Sequence, residues 1–182
     1  MPLGRSSDMP RVFPVARFVD KLSMTQTAPL PTTAAPMPGL TPRTRETLKV
    51  GDSGSFTKTV TEHDVFAFAD ASGDFNPLHI DEEYARRSLF GQRIAHGILT
   101  AGIISTVLGG EIPGLGTIFV ELHIRFLKPV FLGDLVTATA TVMEIINPKR
   151  IRLMVACTNQ RGEDIALGNA IVVPPKETKL LG

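Results

Sequence analysis

Asp74 and His79 are the two side chains of this sequence best suited to moving protons, and they stand five residues apart in Gly73-Asp74-Phe75-Asn76-Pro77-Leu78-His79. Proline has no amide hydrogen and its ring clashes with a preceding helical turn, so Pro77 forbids a continuous helix between them and pushes Asn76 toward an extended conformation. The acid and the imidazole are therefore expected on a short irregular loop that can aim both at one spot. A carboxylate and an imidazole sharing one water are equipped for general acid–base work, one group taking a proton as another is delivered. Taken singly, Asp74 reads as a turn acid and His79 as a satisfied core histidine. Their joint occurrence around Asn76-Pro77, ahead of His96-Gly97 at the start of an apolar helix, favours catalysis. Asn76 through its amide and Pro77 through its fixed φ support the loop rather than react.

Three helices are expected to hold this loop. Thr61 caps the first: its hydroxyl can accept from the Asp64 amide while Asp64 reaches back, and Val65, Phe66 and Ala69 form a stripe toward the core. Gly73 stops it in the left-handed cap position, so Asp74 is fixed by a helix end. Asp81-Glu82-Glu83 opens a second, short helix running to about Ser88, and Phe90-Gly91-Gln92 turns the chain. The third helix runs from His96-Gly97 to about Leu108, where Gly109-Gly110 should stop it. Its residues are apolar or small on nearly every face, which predicts a helix surrounded by protein. Its first amide, at Gly97, has the helix dipole behind it and no side chain in front, a suitable donor to a developing oxyanion. His96 either orients this turn or caps the helix.

The remainder reads as strand. Ser55 to Val60 alternates after the Gly51-Asp52-Ser53-Gly54 turn, and Ile118, Val120, Leu122, Ile124 and Phe126 alternate with Glu121, His123 and Arg125 as a half-buried strand. Leu135 to Ile146, Ile151 to Asn159 and Ile165 to Val173 follow, joined by connections short enough for antiparallel neighbours. The predicted fold is α+β: one domain over 43–176 in which an antiparallel sheet wraps around a central buried helix.

Composition limits the alternatives. The chain has 182 residues, 43% of them hydrophobic, enough for one real core, and its net charge of +1 gives no field for nucleic acid. Cys157, the single cysteine, excludes an internal disulfide and reads as a buried small hydrophobe in a reducing compartment. The longest apolar run, Ile98 to Leu108, falls short of the roughly 20 residues that cross a bilayer. Residues 1–42 hold eight of the fourteen prolines and no periodicity, and are expected to be a disordered extension. Arg5, Arg11, Arg17 and Lys21 give this segment a faint likeness to a mitochondrial transit peptide, against which its prolines count, and Met24 is an alternative start. Residues 177–182 form a short tail. Cytoplasmic location is the expectation.

The run Phe68-Ala69-Asp70-Ala71-Ser72-Gly73-Asp74-Phe75-Asn76-Pro77-Leu78-His79-Ile80-Asp81, with Ile94-Ala95-His96-Gly97-Ile98 after it, resembles the signature of MaoC-like hotdog-fold (R)-specific enoyl-CoA hydratases. The likeness spans about Thr47 to Pro174; the N-terminal arm departs from the compact members of that family. It implies a hydro-lyase of fatty acid metabolism that reversibly hydrates a trans-2-enoyl thioester to the (R)-3-hydroxyacyl thioester, with Asp74 and His79 as the catalytic pair and the Gly97 amide as oxyanion donor. Coenzyme A then belongs to the substrate, no cofactor is needed, and a homodimer paired through sheet edges is expected. Ser105 matches a helix serine associated with this site in the family, although eight residues beyond Gly97 puts it about 12 Å along the axis. Leu99, Ile103 and Leu108 are candidate walls of an acyl pocket. Which of Asp74 and His79 is base and which acid is left open.

Other constellations are weaker. His79, Asp81 and His96 lack recurring zinc spacing, and the chemistry needs no metal. Gly114-Leu115-Gly116 lacks the third glycine of a dinucleotide loop. His63 and His123 read as solvated, as do Arg86, Arg87, Arg93 and Lys128, any of which could also meet coenzyme A phosphates. Three competing functions remain: a dehydratase acting on acyl carrier protein thioesters, a non-catalytic acyl-thioester-binding hotdog module, and a hotdog thioesterase.

Overall fold

The computed structural model describes residues 43–176. The expected extension at 1–42, the choice between Met1 and Met24, and the tail at 177–182 lie outside the described residues. Five strands, β1 (Ser53–Thr59), β2 (Ile118–Phe126), β3 (Leu135–Asn147), β4 (Arg150–Thr158) and β5 (Asp164–Val173), form one antiparallel sheet in the order β1-β3-β4-β5-β2. The last three strands are a meander because their turns are short and self-bonded. Asn147 Oδ1 accepts from the Lys149 amide at 2.9 Å, and Asn159 Oδ1 accepts from the amides of Arg161 and Glu163 at 3.0 and 3.1 Å. Period-two alternation sends Val136, Ala138, Ala140 and Val142 of β3 and Ile151, Leu153, Val155 and Cys157 of β4 into the core.

Four helices lie between β1 and β2: α1 (Glu62–Ser72), α2 (Pro77–Ile80), α3 (Glu82–Arg86) and α4 (Gly97–Thr106). The Thr61–Asp64 capping box is present, and Gly73 ends α1 at φ 78°, where a side chain would be strained. Helix α4 packs on β1, β3, β4 and β2. Ile104 of α4, and Val107 and Leu108 just beyond its end, are fully buried, each contributing roughly 2 kcal/mol by removal from water. No helix among the described residues is long and apolar enough to cross a membrane.

Four expectations need correction. The segment between Asp74 and His79 is not irregular throughout: Pro77–Ile80 is a helical turn with Pro77 in its first position, where the missing N–H costs nothing, and Asn76 Oδ1 caps it by accepting from the Leu78 amide at 3.0 Å. Gly109-Gly110 does not stop the third helix, which runs on into a π-helical turn, Val107–Glu111, before Ile112 leaves it in an extended conformation. That helix is not enclosed on all sides either. Ile98 (59% exposed), Gly102, Ser105, Thr106 and Gly109 form an open face, because the sheet curls around one side only. Strand β2 is also far more exposed than alternation implied: it is an edge strand, a bulge between Phe119 and Glu121 breaks its period, and only Leu122 and Ile124 pack against the core.

Candidate active site

The site is assembled where three helix ends meet. Gly73 ends α1, and Asp74 follows at once, exposed, with its amide donating to Ser72 Oγ and its Oδ1 accepting from the Asn76 amide, each at 3.2 Å. One helical turn later His79 is buried at the end of α2. Its Nδ1 lies 2.8 Å from the Ile94 carbonyl. A carbonyl can only accept, so Nδ1 carries the proton and Nε2 is left with its lone pair free for chemistry. Burial lowers the His79 pKa below its ordinary value near 6.5; the positive charge that His96 can carry lowers it further, while the Ile94 hydrogen bond and the Asp74 carboxylate oppose this.

His96 does not cap α4 with its side chain. It is 2% exposed, its Nε2 donates to the Asp74 carbonyl at 2.9 Å, and its ring stacks on His79 with centroids 3.9 Å apart and on Phe68 at 4.8 Å. Of its two possible roles the structure thus favours orientation, of the Asp74 loop. A carboxylate oxygen of Asp74 and one nitrogen each of His79 and His96 fall within 4.8 Å of one another. These donor types also suit a transition metal, but each ring has given one nitrogen to a backbone carbonyl, leaving His79 Nε2 and His96 Nδ1. Asp81, named in the sequence-based metal set, instead caps α3 by accepting from the Tyr84 amide at 2.9 Å.

Beside this trio a cavity of about 310 Å³ opens, lined by His79, Gly97, Thr100, Phe126, Val130 and Ile165 among others. That volume lies at the small end of small-molecule sites. Gly97 starts α4 against the Phe126 ring. A β-carbon there would stand 3.2 Å from ring atoms, so glycine is what lets the ring close over the helix start. The first amides of a helix have no intrahelical acceptor, and the Gly97 N–H is one of them.

Asp74, His79, His96 and Gly97 are therefore brought together, with Asn76 and Pro77 shaping the turn between. Ser105 is not: it is exposed on the open face of α4 and does not line the cavity. The Ile94 carbonyl, Phe68, Thr100 and Phe126 were missed. Thr100 could have been found from its place one turn after Gly97; a backbone carbonyl and a ring from a distant strand leave no local signal. Of the cations considered, Arg93 bridges Glu62 and Glu82, Arg86 and Arg87 pair with Glu82 and Glu83 across one turn, and Lys128 holds Glu163 at 2.6 Å by the cavity. His63 is exposed, and His123 meets Glu121 at 2.6 Å on the outer face of β2.

Comparison with known proteins shows the family. A family model described as "MaoC like domain" matches residues 43–162. The (R)-specific enoyl-CoA hydratase of Rhodospirillum rubrum is 44% identical over 131 residues, covering 71% of this chain and 90% of that protein. The 3-hydroxybutyryl-CoA dehydratase of Methylorubrum extorquens is 43% identical over 133 residues, covering 72% and 84%. Among solved structures, the unliganded R-hydratase PhaJ1 of Pseudomonas aeruginosa superposes with a TM-score of 0.71 at 35% identity, covering 76% of this chain and 92% of its own. With an acid, an imidazole and a glycine-started helix gathered beside one cavity, and this degree of likeness over most of the described residues, the chain belongs to the MaoC-like dehydratase family of hotdog-fold hydro-lyases.

Proposed function

We propose that this enzyme reversibly hydrates trans-2-enoyl-CoA to (R)-3-hydroxyacyl-CoA, with Asp74 and His79 sharing the attacking water. The observation that carries this reading is the convergence of the two side chains beside a mainly apolar cavity lined by His79 and Gly97. In the hydration direction His79 Nε2 takes a proton from water as its oxygen bonds C3, and the Asp74 carboxylate orients that water through its other hydrogen. The thioester oxygen gains charge as the enolate forms, and the Gly97 amide donates to it with the α4 dipole aligned. The imidazolium proton then goes to C2, which returns His79 to its starting state and balances the addition. His96 keeps the Asp74 loop in register. The scheme uses no metal ion and no cofactor; coenzyme A enters only as part of the substrate.

The test is loss of enoyl absorbance when the purified protein meets crotonyl-CoA, with chiral analysis of the product. Rapid loss with (R)-3-hydroxybutyryl-CoA formed is the expected result. No loss with crotonyl-CoA or longer enoyl-CoAs overturns it and leaves the acyl carrier protein thioesters and the non-catalytic module to be tried. Release of free thiol would indicate a thioesterase instead.

A homodimer is part of the same reading. The unpaired edge of β2, with Ile118 and Val120 exposed, and the open face of α4 with Ile98 are surfaces that a second copy would cover. A cytoplasmic setting is supported by Cys157, the single cysteine, which is unpaired and buried.

A further inference from the structure

Thr100 is a largely buried residue whose hydroxyl bonds to no other group of the protein among the described residues. It is 3% exposed and lines the cavity with His79 and Gly97. Helical threonines ordinarily bond the carbonyl four residues back, as Thr106 does to Gly102 at 3.3 Å. The carbonyl four residues before Thr100, that of His96, accepts from the Leu99 amide at 3.0 Å and receives no bond from the Thr100 hydroxyl. A hydroxyl without a protein partner is free to meet whatever occupies the space before it, and for Thr100 that space is the cavity.

Its place in α4 says what that something is. Side chains of a helix lean toward its N-terminus, and Thr100 lies three residues after Gly97, so its hydroxyl stands over the turn that begins with the Gly97 amide. Three residues amount to about 4.5 Å of rise, within reach of two donors converging on one oxygen. The Phe126 ring packs against Gly97 and gives this turn one apolar wall. Lys128, the other polar group by the cavity besides His79, is held by Glu163.

We propose that the Thr100 hydroxyl and the Gly97 amide form a two-donor site for the thioester oxygen, tightening as the carbonyl becomes an enolate. This rests on the enoyl-thioester reading above and adds a hydrogen-bonding residue to it. Thr100 gives up no proton; it donates, and no bond to it is made or broken.

The experiment compares wild type, Thr100→Val and Thr100→Ser on crotonyl-CoA, with circular dichroism to establish folding and Thr100→Ala as a second hydroxyl-free variant should the valine protein fail to fold. A second readout is the infrared carbonyl band of carbon-13-labelled butyryl-CoA, a saturated thioester that binds without reacting. The expected result is a kcat lowered about tenfold in the valine variant with KM within about twofold, near-wild-type kcat in the serine variant, and a carbonyl band displaced toward that of the free ligand only where the hydroxyl is missing. A valine variant with wild-type kcat and an unshifted band overturns the proposal while leaving the hydratase reading in place. If wild type does not hydrate crotonyl-CoA, the hydratase reading fails and the carbonyl band still decides whether Thr100 meets the thioester; absence of butyryl-CoA binding to wild type overturns both.

Discussion

Replacing Gly168 with alanine should damage both stability and activity, although the residue is remote from the chemistry. Gly168 faces Ile124 across the β5–β2 ladder. A β-carbon there would lie 2.9 Å from the carbonyl carbon of His123 and from the Cα of Ile124, with the His123 carbonyl oxygen nearer still. Comfortable contact between carbon atoms is about 3.5–4.0 Å, so the two carbons alone require β2 to retreat by roughly 0.6–1 Å, the nearer carbonyl oxygen requires more, and backbone cannot rotate out of the way as a side chain can. Overpacking of this kind costs about 1–3 kcal/mol, and each ladder hydrogen bond that is stretched loses about another 1 kcal/mol. A total near 3 kcal/mol corresponds to a fall in Tm of roughly 10 °C for a domain of this size. Phe126 lies two residues beyond Ile124 on the same strand and lines the cavity, so KM for crotonyl-CoA should rise as well. Gly109→Ala is the control: nothing lies within 4 Å of its β-carbon position, and its Tm should hold or rise. Thermal unfolding followed by circular dichroism gives both values. A Gly168→Ala protein melting within about 2 °C of wild type would refute the close approach of β2 to β5.

Asp74→Asn and His79→Gln should each lower kcat by about 100-fold or more with the fold retained, and wild-type turnover in either removes that residue from the mechanism. Because burial holds the folded His79 pKa below the unfolded value near 6.5, the folded state binds that proton less readily. Its contribution to stability is complete above pH 6.5 and is lost as pH falls through 6.5 toward the folded pKa, and the acid limb of kcat/KM should likewise lie below 6.5; a limb above 6.5 would contradict the free Nε2 base. Burial pushes the Cys157 thiol up to about 12, so iodoacetamide at pH 8 should label the unfolded chain and spare the native one, a difference that mass spectrometry reads directly. Light scattering at micromolar concentration should give twice the chain mass, and a monomer would leave β2 without the partner inferred for it.

Much of this site was legible because its information is local. The capping box at Thr61, the stop at Gly73, the break at Pro77 and the helix start at Gly97 each follow from the steric or hydrogen-bonding character of one or two residues, and together they fix Asp74 and His79 on the scaffold. Strands β3, β4 and β5 also followed, from the short turns that separate them. Alternation failed for β2, since apolar residues such as Ile118 and Val120 record what a strand is suited to meet and not whether one chain supplies it. The same holds for α4, whose apolar composition hid an open face. Pro77 was read as a breaker because its effect depends on position: inside a helix it disrupts, and in the first turn it starts one. The Ile94 carbonyl and the Phe126 ring reach the site through tertiary contacts and left no pattern to read.

The sheet order has a bearing on how the chain folds. β3, β4 and β5 are joined by tight turns and can zip together early, whereas β1 pairs with β3 across the whole helical segment, Ser53 opposite Thr141, and β2 pairs with β5 from Ile118 opposite Val173. Long loops close late because their entropy is lost before their contacts form. The meander should therefore gain hydrogen-exchange protection first during refolding, with protection at β2 last; β2 protected ahead of β4 would contradict this order. Since β2 brings Phe126 over Gly97, catalytic competence should lag behind collapse, and a refolding population will hold molecules that are ordered but not yet active.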